Sequence, residues 1–405
     1  MVHIAGQLFL IVIDYFYAMQ KSFFRRISKK FFIFLNVIVA LLFIIGSYGK
    51  VFFSTTLWPV GLLSIGAIYL FIILIGFFIF WLFVKPKCTI IFFITVFITI
   101  NPIQQILPFR FSSSFTQKKA DSSLRILSWN VAQFDILQYK RRPYQRQEMF
   151  DIVNKYNPDV ACFQEMVAGD TLINMNTPYY RKYSFFPIFE FVEKLKMPNY
   201  FYSYNFKEDF LAHQHFGIIT FSKYPIINQQ KVCVGTCGYN DFFQFTDIVK
   251  ATDTFRVFNI HLQSLKFSQS NLKYIDDPTV QTETDLEKSK SVIKKFKIAF
   301  TKRKNQADKV SECIKQSPYK VIVCGDFNDV PNSYAYQTIG EGLQNVFTKK
   351  GAGIGRTFSF IAPTLRIDNI FVDEKMEVLQ YQRIPKFLSD HYPIMADVLP
   401  LFTNK

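Results

Sequence analysis

Residues 321–331, VIVCGDFNDVP, close an apolar, β-branched run on a carboxylate, Asp326, with an amide, Asn328, two positions on. β-Branched side chains suit a packed, pleated surface, so 321–323 read as a buried strand that Gly325 brings to a tight exit. On extended backbone a spacing of two sets both side chains on one face. A carboxylate beside an amide can position a water, a metal ion or a phosphate. Asp, Asn and Gly are equally the residues of ordinary turns, and the stretch alone does not choose.

Other short apolar runs carry polar groups in the same way. LRILSW delivers Asn130, PDVACF places Gln164 and Glu165 at its end, and TFRVFNI delivers His261. TLRIDNIFV contains Asp368, and FLSDHYPIMADV contains Asp390 and His391. Singly, each has a plainer account: a Glu after a strand is a solvated end, a lone His is more often structural, and Asp-His before Tyr-Pro is a turn. Together they collect Asn, Glu, His and several Asp where strands meet loops, the place where α/β and sandwich scaffolds assemble sites. His213 and His215 precede FGIITFSKYPI without an assignable role; His215 is a candidate substrate contact, with a surface histidine as the plainer account.

Holding such a set takes a globular domain, and 405 residues leave room for one behind an appendage. Half the residues are hydrophobic and 48 are Phe, but the excess lies before residue 108. Segments 31–47, 57–84 and 88–107 are apolar, free of ionisable residues, and near the roughly 20 residues that cross a bilayer. Residues 1–107 therefore form a membrane region with three expected transmembrane helices. The Ser-rich stretch 108–123 reads as a linker, and 124–400 as the functional domain. Arg25, Arg26, Lys29 and Lys30 precede the first span and Lys85 and Lys87 separate the second from the third, against Lys50 alone between the first two. By the positive-inside rule the start is cytoplasmic and the C-terminal domain extracytoplasmic, on a multi-pass protein of the cytoplasmic (inner) membrane. Residues 1–18 have no leading basic residues and make a poor signal peptide; Met19 is a more natural start.

The formal charge of +16 divides into +7 before residue 108 and +9 after it. A basic outer domain suits an anionic ligand such as nucleic acid, a phospholipid head group or a polyphosphate. Much of that charge sits in 287–309, which reads as an exposed basic helix. The six cysteines form no paired metal motif; Cys233 and Cys237 are close enough for a disulfide on the oxidising side of a membrane.

The ordered set SWNV, FQEM, FSKYPI, NIHL, GDFNDVP, RIDNIF and SDHYPI resembles the endonuclease/exonuclease/phosphatase (deoxyribonuclease-like) superfamily, over about residues 124–398. The resemblance implies a four-layer α/β sandwich, two packed mixed β-sheets flanked by helices. It further implies a divalent cation, Mg²⁺ or Mn²⁺, held at Glu165 with Asn130 and Asp390 beside it. Asp326 would orient or deprotonate the attacking water and Asn328 would bond the phosphate. His391, oriented by Asp368, would donate to a phosphate oxygen, and His261 is the candidate acid for the leaving oxygen. Hard oxygen donors suit Mg²⁺, and a cation offsets the charge that repels hydroxide from a phosphodiester.

The expectation is a membrane-anchored, divalent-metal-dependent phosphohydrolase, a phosphodiesterase or nuclease acting by in-line attack of water on an anionic phosphodiester. Its first rival is a phospholipid (sphingomyelinase-like) phosphodiesterase or phosphatase. The rival of another class is a catalytically silent anion-binding domain, against which the intact residue set argues. The membrane and the anionic substrate are the only expected partners; no protein partner is expected.

Overall fold

A computed structural model describes residues 27–110, 114–134, 142, 144–169, 187–205, 214–238, 240–265, 283–360 and 362–401. His213, residues 1–18, Arg25 and Arg26 lie outside the described residues. Three N-terminal helices are each long and apolar enough to cross a membrane: α1 (Ile27–Ser47), α2 (Val60–Val84) and α3 (Ile90–Ile106, preceded by a 3-10 turn at Pro86–Thr89). The first begins before the expected residue 31 and so takes in Lys29 and Lys30; the second begins after Pro59 rather than at 57. Val39, Ala40, Phe43, Ala67 and Leu74 pack together, while Phe83 and Phe97 stay exposed, which is compatible with membrane insertion. Pro102 has no N–H for the carbonyl of Ile98, and α3 leaves helical geometry at Thr99. That carbonyl instead accepts from Tyr48 Oη at 2.5 Å.

Two six-stranded mixed sheets follow. The first runs β11 (Met376–Arg383), β12 (Ile394–Pro400), β1 (Leu124–Asn130), β2 (Val160–Gly169), β4 (Gln214–Ser222), β3 (Asn199–Tyr204). The second runs β5 (Ile226–Cys233), β6 (Phe242–Lys250), β7 (Asp253–His261), β8 (Lys320–Asp326), β10 (Asp368–Asp373), β9 (Leu343–Asn345). The pairs β1/β2 and β7/β8 are parallel and the rest antiparallel. The strand period of two sorts side chains between layers. On β8, Ile322 and Cys324 enter the core between the sheets with Ile126, Val257 and Ile370, while Val321 and Val323 face outward. Helices α4 (Gln145–Tyr156) and α5 (Ile188–Leu195) cover the outer face of the first sheet through Phe150, Val153 and Phe191. Helices α6 (Glu283–Lys315) and α7 (Tyr334–Ile339) cover the second through Ala307, Val310, Ala335 and Ile339.

Helix α6 corrects the expectation of an exposed basic helix. Ala299, Phe300, Arg303, Gln306, Ala307 and Val310 are buried along one face, and the lysines occupy the other. Residues 299, 303, 306, 307 and 310 recur at the three- and four-residue spacing of a buried helical stripe. The described part of 108–123 is bonded along the domain: Gly353 N donates to Pro108 O (2.8 Å) and Thr116 N to Gln380 Oε1 (2.9 Å). Cys233 and Cys237 are joined by a disulfide.

The domain also docks on the helix ends. Gly49 N donates to Asn332 O (3.1 Å), Gln337 Nε2 to Ser47 O (2.9 Å), and the buried Arg366 guanidinium to Ile106 O (3.3 Å) and Gln105 O. Cationic Arg366 thus meets the electronegative C-terminus of α3, the favoured sign for a helix dipole. Phe300 of α6 lies against Phe53 and Val60, and an added Cβ on Gly61 would come within 2.8 Å of its ring.

Candidate active site

Strand register lines up three of the expected residues. Across β7, β8 and β10, His261 stands opposite Asp326 and Asp326 opposite Asp368. The close approach needs glycine before Asp326: Gly325 has φ +145°, and a Cβ there would lie 1.9 Å from Ile260 O. Asn328 departs from the expected extended geometry. Its φ is +50°, so the chain turns rather than continues, and Asn tolerates that left-handed conformation. The turn brings Asn328 N to Asp326 Oδ1 (2.8 Å) and Nδ2 to Asp326 Oδ2 (3.1 Å) and Leu262 O (3.0 Å). Turn and site are one feature here.

The first sheet supplies the facing half. Asn130 ends β1 opposite Gln164. Glu165 lies within β2, which continues to Gly169, rather than at its end. The β2/β4 pairing shifts between Phe163 and Met166, and Glu165 has φ +51°. Such a bulge re-aims one side chain out of the alternating pattern. Asp390 and His391 occupy the turn before β12, fixed by Ser389 Oγ donating to Asn130 O (2.7 Å) and Trp129 Nε1 to His391 O (3.0 Å).

These side chains converge on Asp326. Asn130 Nδ2 donates to its Oδ2 at 3.1 Å, and His261 Nε2 and His391 Nε2 stand 3.6 and 3.7 Å away. His261 Nε2 is also 3.7 Å from Glu165 Oε1. Burial pushes the Asp326 carboxyl up to about 6, with His391 pulling down and Asp368 pushing up. Burial disfavours charge on His391, but Asp368, 2.8 Å from Nδ1, and Asp326 carry it up to about 10. Burial and then the charge of Asp390 raise Glu165 above the usual carboxylate range, while His391 and Asn130 lower it.

A cavity of about 290 Å³ gathers Glu165, Asp326, Asn328, Asp390 and His391. An adjoining one of about 280 Å³ shares Glu165 and Asp390 and adds Arg142, Phe360 and Phe387. His215 is not among the described residues lining either; it stacks on Tyr204 at 4.1 Å. Arg303 was missed among the charges of α6, yet it is buried, lines the cavity, donates to Asn328 O and stands 3.5 Å from Asp329. Its place on the apolar stripe of α6 was the available signal.

The endonuclease/exonuclease/phosphatase family model matches residues 127–391. The chain belongs to that family. A model described as a domain of unknown function (DUF8431) matches residues 29–106. No curated protein matches the chain. Similar solved structures include an endonuclease/exonuclease/phosphatase from Beutenbergia cavernae, 16% identical at a TM-score of 0.49, over 69% of this chain and 72% of that one. A family protein from Bacteroides thetaiotaomicron is 17% identical at 0.48, over 70% and 100%. The human nocturnin catalytic domain with bound sulfate is 12% identical at 0.45, over 72% and 98%.

A divalent cation fits the donor set of this family member at Glu165 and Asp390, hard oxygen donors that face the same cavities and whose mutual repulsion a cation relieves. Asn130 bridges the two acids, its amide bonded to Asp326 and Glu165 and its Oδ1 accepting from Ala132 N (3.2 Å). Asp326, Asp368 and His391 also bring three ligand-capable atoms within 4.8 Å of one another. There Asp368 engages the imidazole at Nδ1 and favours its charged form, a hydrogen-bond donor.

Proposed function

We propose that the protein is a membrane-anchored, divalent-metal-dependent phosphodiesterase. The observation that carries this reading is the convergence of Asp326, His391 and the Glu165–Asp390 pair on one cavity, with His261 and Asp368 flanking Asp326 in the strand register. A bound Mg²⁺ or Mn²⁺ would polarise the phosphoryl oxygen and offset charge on the leaving oxygen. Asp326, oriented by Asn130 and both nitrogens of Asn328, accepts the proton of the attacking water. His391, charged through Asp368, donates to a phosphate oxygen, and Arg303 adds a second positive charge. His261 gives a proton to the leaving oxygen.

The catalytic domain is assigned to the extracytoplasmic side of the membrane. The domain docks at Ser47, Gly49, Gln105 and Ile106, so the opposite helix ends, with Lys29, Lys30, Lys85 and Lys87, face the cytoplasm under the positive-inside rule. The Cys233–Cys237 disulfide agrees with an oxidising compartment.

The test is hydrolysis of a bis-aryl phosphodiester by the full chain in detergent, with Mg²⁺ or Mn²⁺ and then with chelator. Metal-dependent turnover lost in Asp326→Ala and His391→Ala is the expected result. A folded, metal-loaded chain with no turnover would favour the silent anion-binding domain.

A further inference from the structure

We propose that the phosphate ester hydrolysed here is carried by a lipid of the same bilayer that holds the chain's own helices, and reaches the site along α2 beside Ile65. The inference rests on the phosphodiesterase reading and names its substrate class.

The first observation is who lines the site. Ile65 of α2 lines the cavity that holds Glu165, Asp326, Asp390 and His391. Leu265, Val330, Phe358 and Leu365 extend that apolar wall. A fully water-borne substrate gains little from it, whereas the first carbons of an acyl or prenyl chain leave water by lying against it.

The second is depth. Helix α2 has 25 residues and is therefore about 37 Å long, against about 30 Å of hydrocarbon. With that excess of length at this end of the helix, Ile65, about 7 Å in from Val60, lies where hydrocarbon gives way to head groups. Lipid phosphates occupy that layer. The docking is fixed rather than loose: Tyr69 Oη bonds Thr364 Oγ1 at 3.2 Å, Phe300 covers Gly61, and Asn332, four residues beyond Asn328, accepts from Gly49.

The third is what lies beside the mouth. Phe360 and Phe387 are 52% and 55% exposed, meet edge to face at 6.0 Å, and line the adjoining cavity with Glu165 and Asp390. Exposed aromatic rings beside the site suit a membrane interface. The exposed lysines of α6 (Lys290, Lys294, Lys297 and Lys302) are not among the described residues lining either cavity.

The step balances without a further reactant. Water forms a new P–O bond as the ester P–O bond breaks; one water proton goes to Asp326 and the leaving oxygen takes a proton from His261.

The test uses the full chain in nanodiscs with Mg²⁺. Phosphatidylglycerol, phosphatidylethanolamine or sphingomyelin is placed either in the disc that holds the protein or in separate vesicles, beside parallel assays on a bis-aryl phosphodiester and on DNA. At least one lipid should turn over about tenfold faster from the protein's own disc than from vesicles. Ile65→Trp should lower the ratio of lipid to aryl-ester turnover about tenfold. Equal rates from both placements, or turnover of DNA and aryl ester without any of the lipids, would overturn the inference and leave the phosphodiesterase reading standing. Loss of turnover on every substrate would bring down that reading and the inference with it.

Discussion

His391 Nδ1 lies 2.8 Å from Asp368 Oδ2, and both side chains are buried. The imidazole gains its charge from that carboxylate and from Asp326 against the cost of burial, so its pKa stands at about 10. Activity that needs charged His391 is kept below that value and lost as pH rises through it. Replacing Asp368 with Asn should move the alkaline limb of the pH–rate profile acidward by at least about one unit. The same shift contributes to stability: the contribution is complete below the unfolded value of about 6.5 and is lost as pH rises through about 10. Melting measured across that window should show the decline in the wild type and a flatter profile in Asp368→Asn.

Asp326 sets the other limb. Burial raises it to about 6, and only its ionised form accepts a proton from water. Turnover should therefore rise with pH through about 6 at limiting metal. A cation nearby favours the carboxylate, so saturating Mg²⁺ should move this limb further to acid. Asp326→Asn should cost about 10²–10⁴ in kcat, the usual worth of a positioned base. A loss below tenfold would remove Asp326 from that role.

Glu165 and Asp390 repel each other across the cavity, and burial makes the ionised Glu165 costly. A divalent cation should therefore stabilise the fold, by about 2.7 kcal/mol at a hundred times its dissociation constant. Thermal melting with Mg²⁺ and with chelator measures the difference. In Glu165→Gln the metal-induced rise should shrink to near zero, while the chelated protein melts no lower than chelated wild type. An undiminished rise would place the cation elsewhere.

How much of this was legible depends on whether a residue acts through its own strand or through a neighbour's. Asn130, His261, Asp326 and Asp368 sit at strand ends because β-branched and aromatic runs stop there, and the motif order assigned them correctly to one fold. Glu165 was visible as a residue but not as a bulge, since the register shift depends on how β4 pairs with β2. For Asn328 the strand pattern continues as extended backbone, but Asn after Gly-Asp-Phe signals a turn as well, and the left-handed turn prevails. Arg303 was hidden by its setting: surrounding lysines made α6 look solvated, and the burial of one face depends on the second sheet it covers. The contact of Ile65 with the site had no local signal, because nothing in an apolar helix marks which side meets a distant loop.

Docking of the helix ends on the loop after Asn328 makes a last prediction separable from chemistry. An added Cβ on Gly49 would lie 2.5 Å from Asn332 O and 2.8 Å from Tyr334 N, both backbone atoms with little room to yield. Gly49→Ala should therefore displace residues 332–334, at a cost of about 1–3 kcal/mol for overpacking. The shift passes along four residues to Asn328, whose two nitrogens orient Asp326. The expected result in the full chain is a fall in kcat of about tenfold or more on any ester, with little change in the Mg²⁺ concentration needed, since Glu165 and Asp390 lie on other segments. Gly66→Ala is the control: nothing lies within 4 Å of that Cβ, and Ala gains about 1 kcal/mol of helix propensity over Gly. Gly66→Ala with wild-type kcat beside an impaired Gly49→Ala would show that the helix ends help to set the catalytic loop. Equal, wild-type kcat in both would show that the loop holds its geometry without them.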